Sequence, residues 1–123
     1  MRTLHLAAVL AALLGLLGGT LHADISARAD LDLAGLADCV ADSGAVYYGA
    51  HWCPYCRKQN AFFGEHADRL PYVECYDGPK SGGKNAACDS AGVRGFPTWQ
   101  FAGGERRSGA LSPAELAAAT GCY

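Results

Sequence analysis

The chain has 123 residues, half of them hydrophobic, with twelve acidic residues against ten lysines and arginines and a formal net charge of −2. That length accommodates one domain and not two. The basic residues form no stripe, which excludes nucleic acid as a partner.

The first stretch reads as a targeting segment rather than as fold. Met1 and Arg2 give a weakly positive start, and Leu6 to Leu17 is an almost unbroken Ala/Leu/Val run. A membrane span takes about 20 apolar residues, more than this run supplies. Gly18-Gly19-Thr20 breaks it, and Leu21-His22-Ala23 precedes the first acidic residue, Asp24. Residues 1–23 are therefore expected to be a secretory signal cleaved after Ala23, with 24–123 an exported domain in the periplasm or an equivalent compartment. The alternative is an uncleaved anchor through residues 4–21. Cleavage leaves nine basic against twelve acidic residues, a net charge of −3. All six cysteines (Cys39, Cys53, Cys56, Cys75, Cys88 and Cys122) follow the signal. An even count in a small exported domain reads as disulfides, because that compartment is oxidising.

Residues 24–30 make at most an edge strand. From Leu31 to Asp42, Leu33, Leu36, Ala37 and Val40 recur at helical spacing, and Ser43-Gly44 stops the helix. Ala45 to Gly49 is short, apolar and β-prone. Next comes His51-Trp52-Cys53-Pro54-Tyr55-Cys56, with Pro54 at the first helical position, where its missing N–H is not needed. The helix it opens is expected to run to Asp68, with Phe62, Phe63 and the aliphatic part of His66 as its buried stripe. Leu70 to Cys75 is a second strand, Tyr76 to Lys84 a loop, and Asn85 to Ala91 a short helix stopped by Gly92. Val93 to Phe101 leads into a third strand, and Gly103-Gly104 turns it into a hairpin with Glu105 to Ser108. Ser112-Pro113-Ala114-Glu115 is a capping box ahead of a last helix ended by Gly121. Helical crossovers imply a parallel strand pair, and the hairpin adds antiparallel strands: one α/β domain. Alternation makes Glu74 an outward-facing strand residue in preference to a buried proton relay. His51 reads as a partly exposed loop residue, and Arg106-Arg107 as a solvated hairpin edge.

Two thiols separated by two residues, at the point where a strand hands over to a helix, point to redox chemistry. Cys53 would sit at the helix N-terminus, where unpaired N–H groups and the helix dipole favour a thiolate nucleophile. Cys56, one turn in and more buried, would resolve the mixed disulfide. A zinc ribbon would need a second close pair, but Cys75 and Cys88 are 13 apart, so no metal and no cofactor is expected.

Trp52-Cys53-Pro54-Tyr55-Cys56 together with Gly95-Phe96-Pro97-Thr98 resembles the thioredoxin fold. The resemblance implies a central mixed sheet flanked by helices and a cis Pro97 beside the cysteine pair. It makes Trp52, Tyr55, Phe96 and Pro97 the substrate-binding residues. Tyr48 to Cys56, Pro71 to Cys75, Cys88 and Gly95 to Trp99 are closest to the thioredoxin-like domain associated with vitamin K epoxide reductase homologues. Those homologues are membrane proteins that pass electrons to quinone. The chain departs from cytoplasmic thioredoxins at Tyr47, where they carry a buried acid. With Cys53 and Cys56 set aside, three pairings of the other four cysteines remain. Pinning the 76–84 loop favours Cys75–Cys88, and the thioredoxin layout, which brings the ends of the first and last helices to one pole, favours Cys39–Cys122. The function implied is an exported, monomeric thiol–disulfide oxidoreductase that oxidises cysteine-containing proteins and hands electrons to a separate quinone-linked membrane oxidoreductase. The alternatives are an extracytoplasmic reductase or isomerase and, in another class, a metal-binding thioredoxin-like module or metallochaperone.

Overall fold

The computed structural model describes residues 32–123. The expected signal segment, the anchor alternative and the edge strand at 24–30 lie outside the described residues. Helix α1 covers residues 32–42 and buries Ala37 and Val40, two of the apolar positions its spacing singles out. Gly44, at φ 85, turns the chain into strand β1 (Val46–Gly49). Helix α2 (Pro54–Ala61) follows, then a 3₁₀ segment (Gly64–Arg69), strand β2 (Tyr72–Glu74), a 3₁₀ turn (Lys80–Gly82) and helix α3 (Ala86–Ser90). Strands β3 (Thr98–Gln100) and β4 (Arg106–Ser108) form the hairpin, and α4 (Pro113–Thr120) closes the chain.

The sheet order is β2-β1-β3-β4, with β1 parallel to β2 and antiparallel to β3, and β3 antiparallel to β4. The crossover through α2 puts β2 beside β1 in parallel. This mixed sheet with its helices is a thioredoxin-like fold.

Two elements are shorter than their patterns suggest. The apolar stripe runs on to Asp68, yet α2 stops at Ala61, because Gly64 adopts φ 55, outside the right-handed helical region. Phe63 is still buried, and His66 falls on the 3₁₀ segment instead of the helix. Strand β3 begins only at Thr98; Pro97 just before it has no N–H to offer a ladder.

The main core joins Val40, Tyr47, Phe63, Trp99, Phe101 and Leu116. Tyr47 stacks on Trp99 with ring centroids 4.9 Å apart. Inside this apolar core lies a fully buried Gln59. Its Nε2 donates to the Leu111 carbonyl at 2.9 Å, and its Oε1 accepts from Trp99 Nε1 at 2.9 Å and Leu111 N at 2.8 Å. One side chain thus ties α2 to β3 and to the segment that leads into α4. A second, smaller cluster of Cys75, Cys88 and Val93 packs with Tyr48 and Val73.

Cys39 is bonded to Cys122 and Cys75 to Cys88, across separations of 83 and 13 residues. In the chain-entropy picture these restrict the unfolded chain by about 4.5 and 3 kcal/mol respectively. The capping box also forms: Ser112 Oγ accepts from Glu115 N at 3.2 Å, and Glu115 Oε2 accepts from Ser112 N at 2.7 Å.

That last contact holds the Glu115 carboxyl below its ordinary value of 4.5, the Ser112 backbone N–H being the main cause. A carboxyl whose folded pKa is depressed adds stability above its unfolded value and loses it as pH falls through the folded one. Glu115→Gln keeps the box but not the charge. It should therefore be less stable than the wild type at pH 7, with the gap closing as thermal unfolding is repeated below pH 4.5.

Candidate redox site

Strand β1 ends at Gly49, and the Ala50 carbonyl accepts from Cys53 N at 3.0 Å, turning the chain sharply. Cys53 then caps α2. Its backbone is extended, Pro54 occupies the first turn, and the Cys53 Sγ accepts from Cys56 N at 3.4 Å. The sulfur thus stands among the unpaired N–H groups of the helix start, where the dipole favours negative charge. From the opposite side comes the loop before β3. The Phe96–Pro97 peptide is cis, and the Cys53 thiol donates to the Phe96 carbonyl at 3.4 Å. Residues 43 apart in sequence meet at one sulfur.

Both Cys53 and Cys56 are free thiols, and each is only 3% exposed. The sequence suggests that Cys56 is the more buried of the two; the structure covers both equally. Trp52, Tyr76 and Phe96 pack edge to face, with centroids 5.2, 5.8 and 5.9 Å apart, against the cluster that holds both cysteines. Lys80 Nζ sits 4.2 Å from the Trp52 ring centre, a cation–π contact. His51 Nε2 lies 2.8 Å from the Gly78 carbonyl, fastening the 76–84 loop to the turn. Tyr55, at the first turn of α2, is 63% exposed. Trp52 and Phe96 are half-buried, and Pro97 is buried.

Beneath Cys56 lies Tyr47. Its hydroxyl is within donating distance of the Cys56 carbonyl, 3.1 Å, and of Asn60 Oδ1, 3.2 Å. Burial, followed by the adjacent Cys56, pushes the phenol far above its ordinary range, so it stays neutral. The Cys56 thiol is pushed up to about 12, chiefly by burial, with a hydrogen bond from the Ala50 backbone pulling the other way. At neutral pH Cys56 is a thiol.

Glu74 does not face outward. The register pairs it with Gly49 and pairs Tyr72 with Tyr47, so Tyr72 and Glu74 share the face on which α2 packs. Half-buried, the carboxylate accepts from His51 N at 2.9 Å, the Tyr72 hydroxyl at 2.8 Å and Cys75 N at 3.1 Å.

Sequence reading missed Gln59, Tyr72, Tyr76 and Lys80 here. Gln59 carries a usable signal, a polar residue three positions after Cys56 on a buried helical face. Tyr76 and Lys80 lie in a loop without periodicity and carry none.

Gly49 is required by close approach. A Cβ there would lie 2.4 Å from Tyr72 Cε2 and 3.3 Å from Cys56 Sγ. Gly49→Ala should cost about 1–3 kcal/mol in denaturant unfolding. Gly35→Ala, where a Cβ meets nothing within 4 Å on α1, should instead stabilise by up to about 1 kcal/mol.

No protein-family model matches the chain. A stretch of 101 residues, 80% of the chain, is 43% identical to thiol-disulfide oxidoreductase LTO1 of Arabidopsis thaliana, and the match spans 27% of that relative's length.

Proposed function

We propose that the chain is a thiol–disulfide oxidoreductase in which Cys53 is the nucleophile and Cys56 the resolving cysteine. The observation that carries this reading is the position of Cys53: its sulfur caps α2 and faces the Phe96 carbonyl beside cis Pro97. A sulfur at a helix N-terminus meets unpaired N–H groups that favour negative charge on the atom that attacks a disulfide. The Phe96 backbone beside it is where an extended substrate peptide would add as a strand. The relative's name supports the same chemistry.

In the oxidising direction a substrate thiolate attacks Cys53 Sγ of the Cys53–Cys56 disulfide, and Cys56 leaves with the electron pair. A second substrate thiolate then attacks the substrate sulfur and releases Cys53, so two electrons pass from substrate to chain. Trp52, Tyr55 and Phe96 flank the entering peptide. The Trp52 Nε1–H, buried with no hydrogen-bond partner among the described residues, is a donor for its backbone. Oxidation is the direction we favour. Tyr47 stands where a reductase of the cytoplasmic kind carries an acid, and two further disulfides brace the domain as expected outside the cytoplasm. On this reading the protein is exported, works as a monomer on cysteine-containing proteins, and passes electrons to a quinone-linked membrane oxidoreductase of the vitamin K epoxide reductase type.

The test pairs oxidation of a reduced dithiol peptide with insulin reduction, alongside the equilibrium potential against glutathione. The oxidase reading expects fast peptide oxidation and a potential above that of glutathione; fast insulin reduction with a potential below it would assign the reverse direction.

A further inference from the structure

When a thiolate attacks Cys53 Sγ of the Cys53–Cys56 disulfide, the Cys56 sulfur leaves with the electron pair and a negative charge. Cys56 is 3% exposed, so burial is the chief cost of that charge. Two protein donors meet the sulfur, the Ala50 backbone N–H and the Tyr47 hydroxyl, and each favours the thiolate. The Cys56 N–H is directed elsewhere, to Cys53 Sγ at 3.4 Å. So is Tyr72. Its ring packs edge to face on Tyr47, with centroids 4.9 Å apart, and its hydroxyl donates to Glu74 Oε2 at 2.8 Å. Tyr47 is fully buried on β1, beneath the helix turn that carries Cys56. Its hydroxyl rests between two further acceptors, the Cys56 carbonyl at 3.1 Å and Asn60 Oδ1 at 3.2 Å. A hydroxyl rotor with several acceptors turns to the one on which charge develops. Burial, and then the neighbouring Cys56, penalise the phenolate, so the phenol donates without giving up its proton.

We infer that the Tyr47 hydroxyl and the Ala50 N–H form a two-donor pocket for negative charge on the Cys56 sulfur, in which the phenol serves as a hydrogen-bond donor and not as a base. This rests on the thiol–disulfide exchange proposed above. In the oxidising direction the substrate sulfur bonds to Cys53 Sγ, the Cys53–Cys56 bond breaks, and its electron pair goes to Cys56 Sγ. The Tyr47 O–H turns from Asn60 to that sulfur and stays neutral. The charge of the attacking thiolate has then passed to Cys56, and no proton moves in the step. Resolution is the reverse. Cys56 gives its proton to solvent, and its thiolate attacks Cys53 Sγ and expels the substrate sulfur with the pair of the broken bond. Both directions pass through one arrangement with charge on Cys56, where fixed donors in a water-excluded site act most strongly. Loss of the hydroxyl therefore slows both directions by one factor.

The test is a single turnover of the reduced chain with an aromatic disulfide whose released thiolate absorbs visible light. Attack by Cys53 releases the first thiolate, and resolution by Cys56 releases the second. A hydrogen bond to a charged group is worth about ten- to hundredfold in its ionisation, and about half of that, on a logarithmic scale, reaches the exchange rate. Tyr47→Phe keeps the ring stacked on Trp99. It is expected to slow the second release about three- to tenfold at neutral pH and to leave the first unchanged. The oxidised variant should react with glutathione more slowly by the same factor, with its equilibrium potential unmoved. Asn60→Ala, at an exposed position, removes the competing acceptor but keeps the hydroxyl, and should release the second thiolate at least as fast as the wild type. It reads the pocket even where Tyr47→Phe does not fold. A merely structural hydroxyl would slow both releases together, shift the potential, or make Asn60→Ala as slow as Tyr47→Phe. Any of these, or a wild-type second release from folded Tyr47→Phe, would overturn the pocket alone. Absence of the first release from the wild-type chain would overturn the exchange reading, and the pocket with it.

Discussion

Cys53→Ser is expected to reduce exchange with both thiol and disulfide substrates to background, whereas Cys56→Ser should still react and then stall as a covalent mixed disulfide. The two cysteines share a helix turn and are equally covered, so accessibility does not separate them. Their surroundings do. The Cys53 sulfur sits on the helix axis end, receives the Cys56 N–H and lies against the Phe96 carbonyl where a peptide would pair. Cys56 is one turn inside, its thiol pushed up to about 12 by burial, and is protonated at neutral pH. A thiol in that state is a poor first attacker and a suitable second one, once its proton has somewhere to go. Mass spectrometry of non-reduced variants after incubation with a disulfide peptide distinguishes the cases. Adducts on Cys53→Ser, or none on Cys56→Ser, would reverse or remove the assigned roles.

The second large effect concerns stability. Gln59→Met matches the side chain in size but leaves Trp99 Nε1 and both the N–H and C=O of Leu111 buried without their partner. Each such group costs about 1–3 kcal/mol, so the variant should lose about 3–9 kcal/mol. Whole domains of this size are stable by only about 5–15 kcal/mol, so this is enough to leave much of the chain unfolded at body temperature. Gln59→Glu offers a finer test. The carboxylate still accepts from Trp99 and Leu111, but it carries a buried charge and cannot donate to the Leu111 carbonyl. Burial raises its folded pKa, so the variant should regain stability as pH falls and the protonated acid donates again. Urea midpoints across pH read both effects. A Gln59→Met variant within about 1 kcal/mol of wild type would show that the core tolerates the loss of this connection.

Glu74 shows where local patterning misleads. Alternation along β2 describes the two faces of the sheet, and it placed the residue on the solvent side. The sheet register puts that face under α2, and the carboxylate turns back to fasten the turn that carries the cysteines. Likewise Tyr72 looks like an ordinary strand aromatic until Gly49 is seen to make room for it beside Cys56.

The sequence by itself determined the order of helices and strands, the capping box at Ser112 and the placing of Cys53 at a helix start. These depend on spacing within one element or on residues at its immediate end, and the physics that sets them is local. The tertiary structure alone decided that an aromatic trio packs against the cluster holding both thiols, and that Gln59 ties three segments together. It alone brought Tyr72 over Gly49 and the Glu74 carboxylate to the backbone of the turn before α2. Those outcomes rest on contacts between residues 16 to 52 positions apart. No periodicity records such contacts, because they exist only once the sheet register and the helix packing have been fixed.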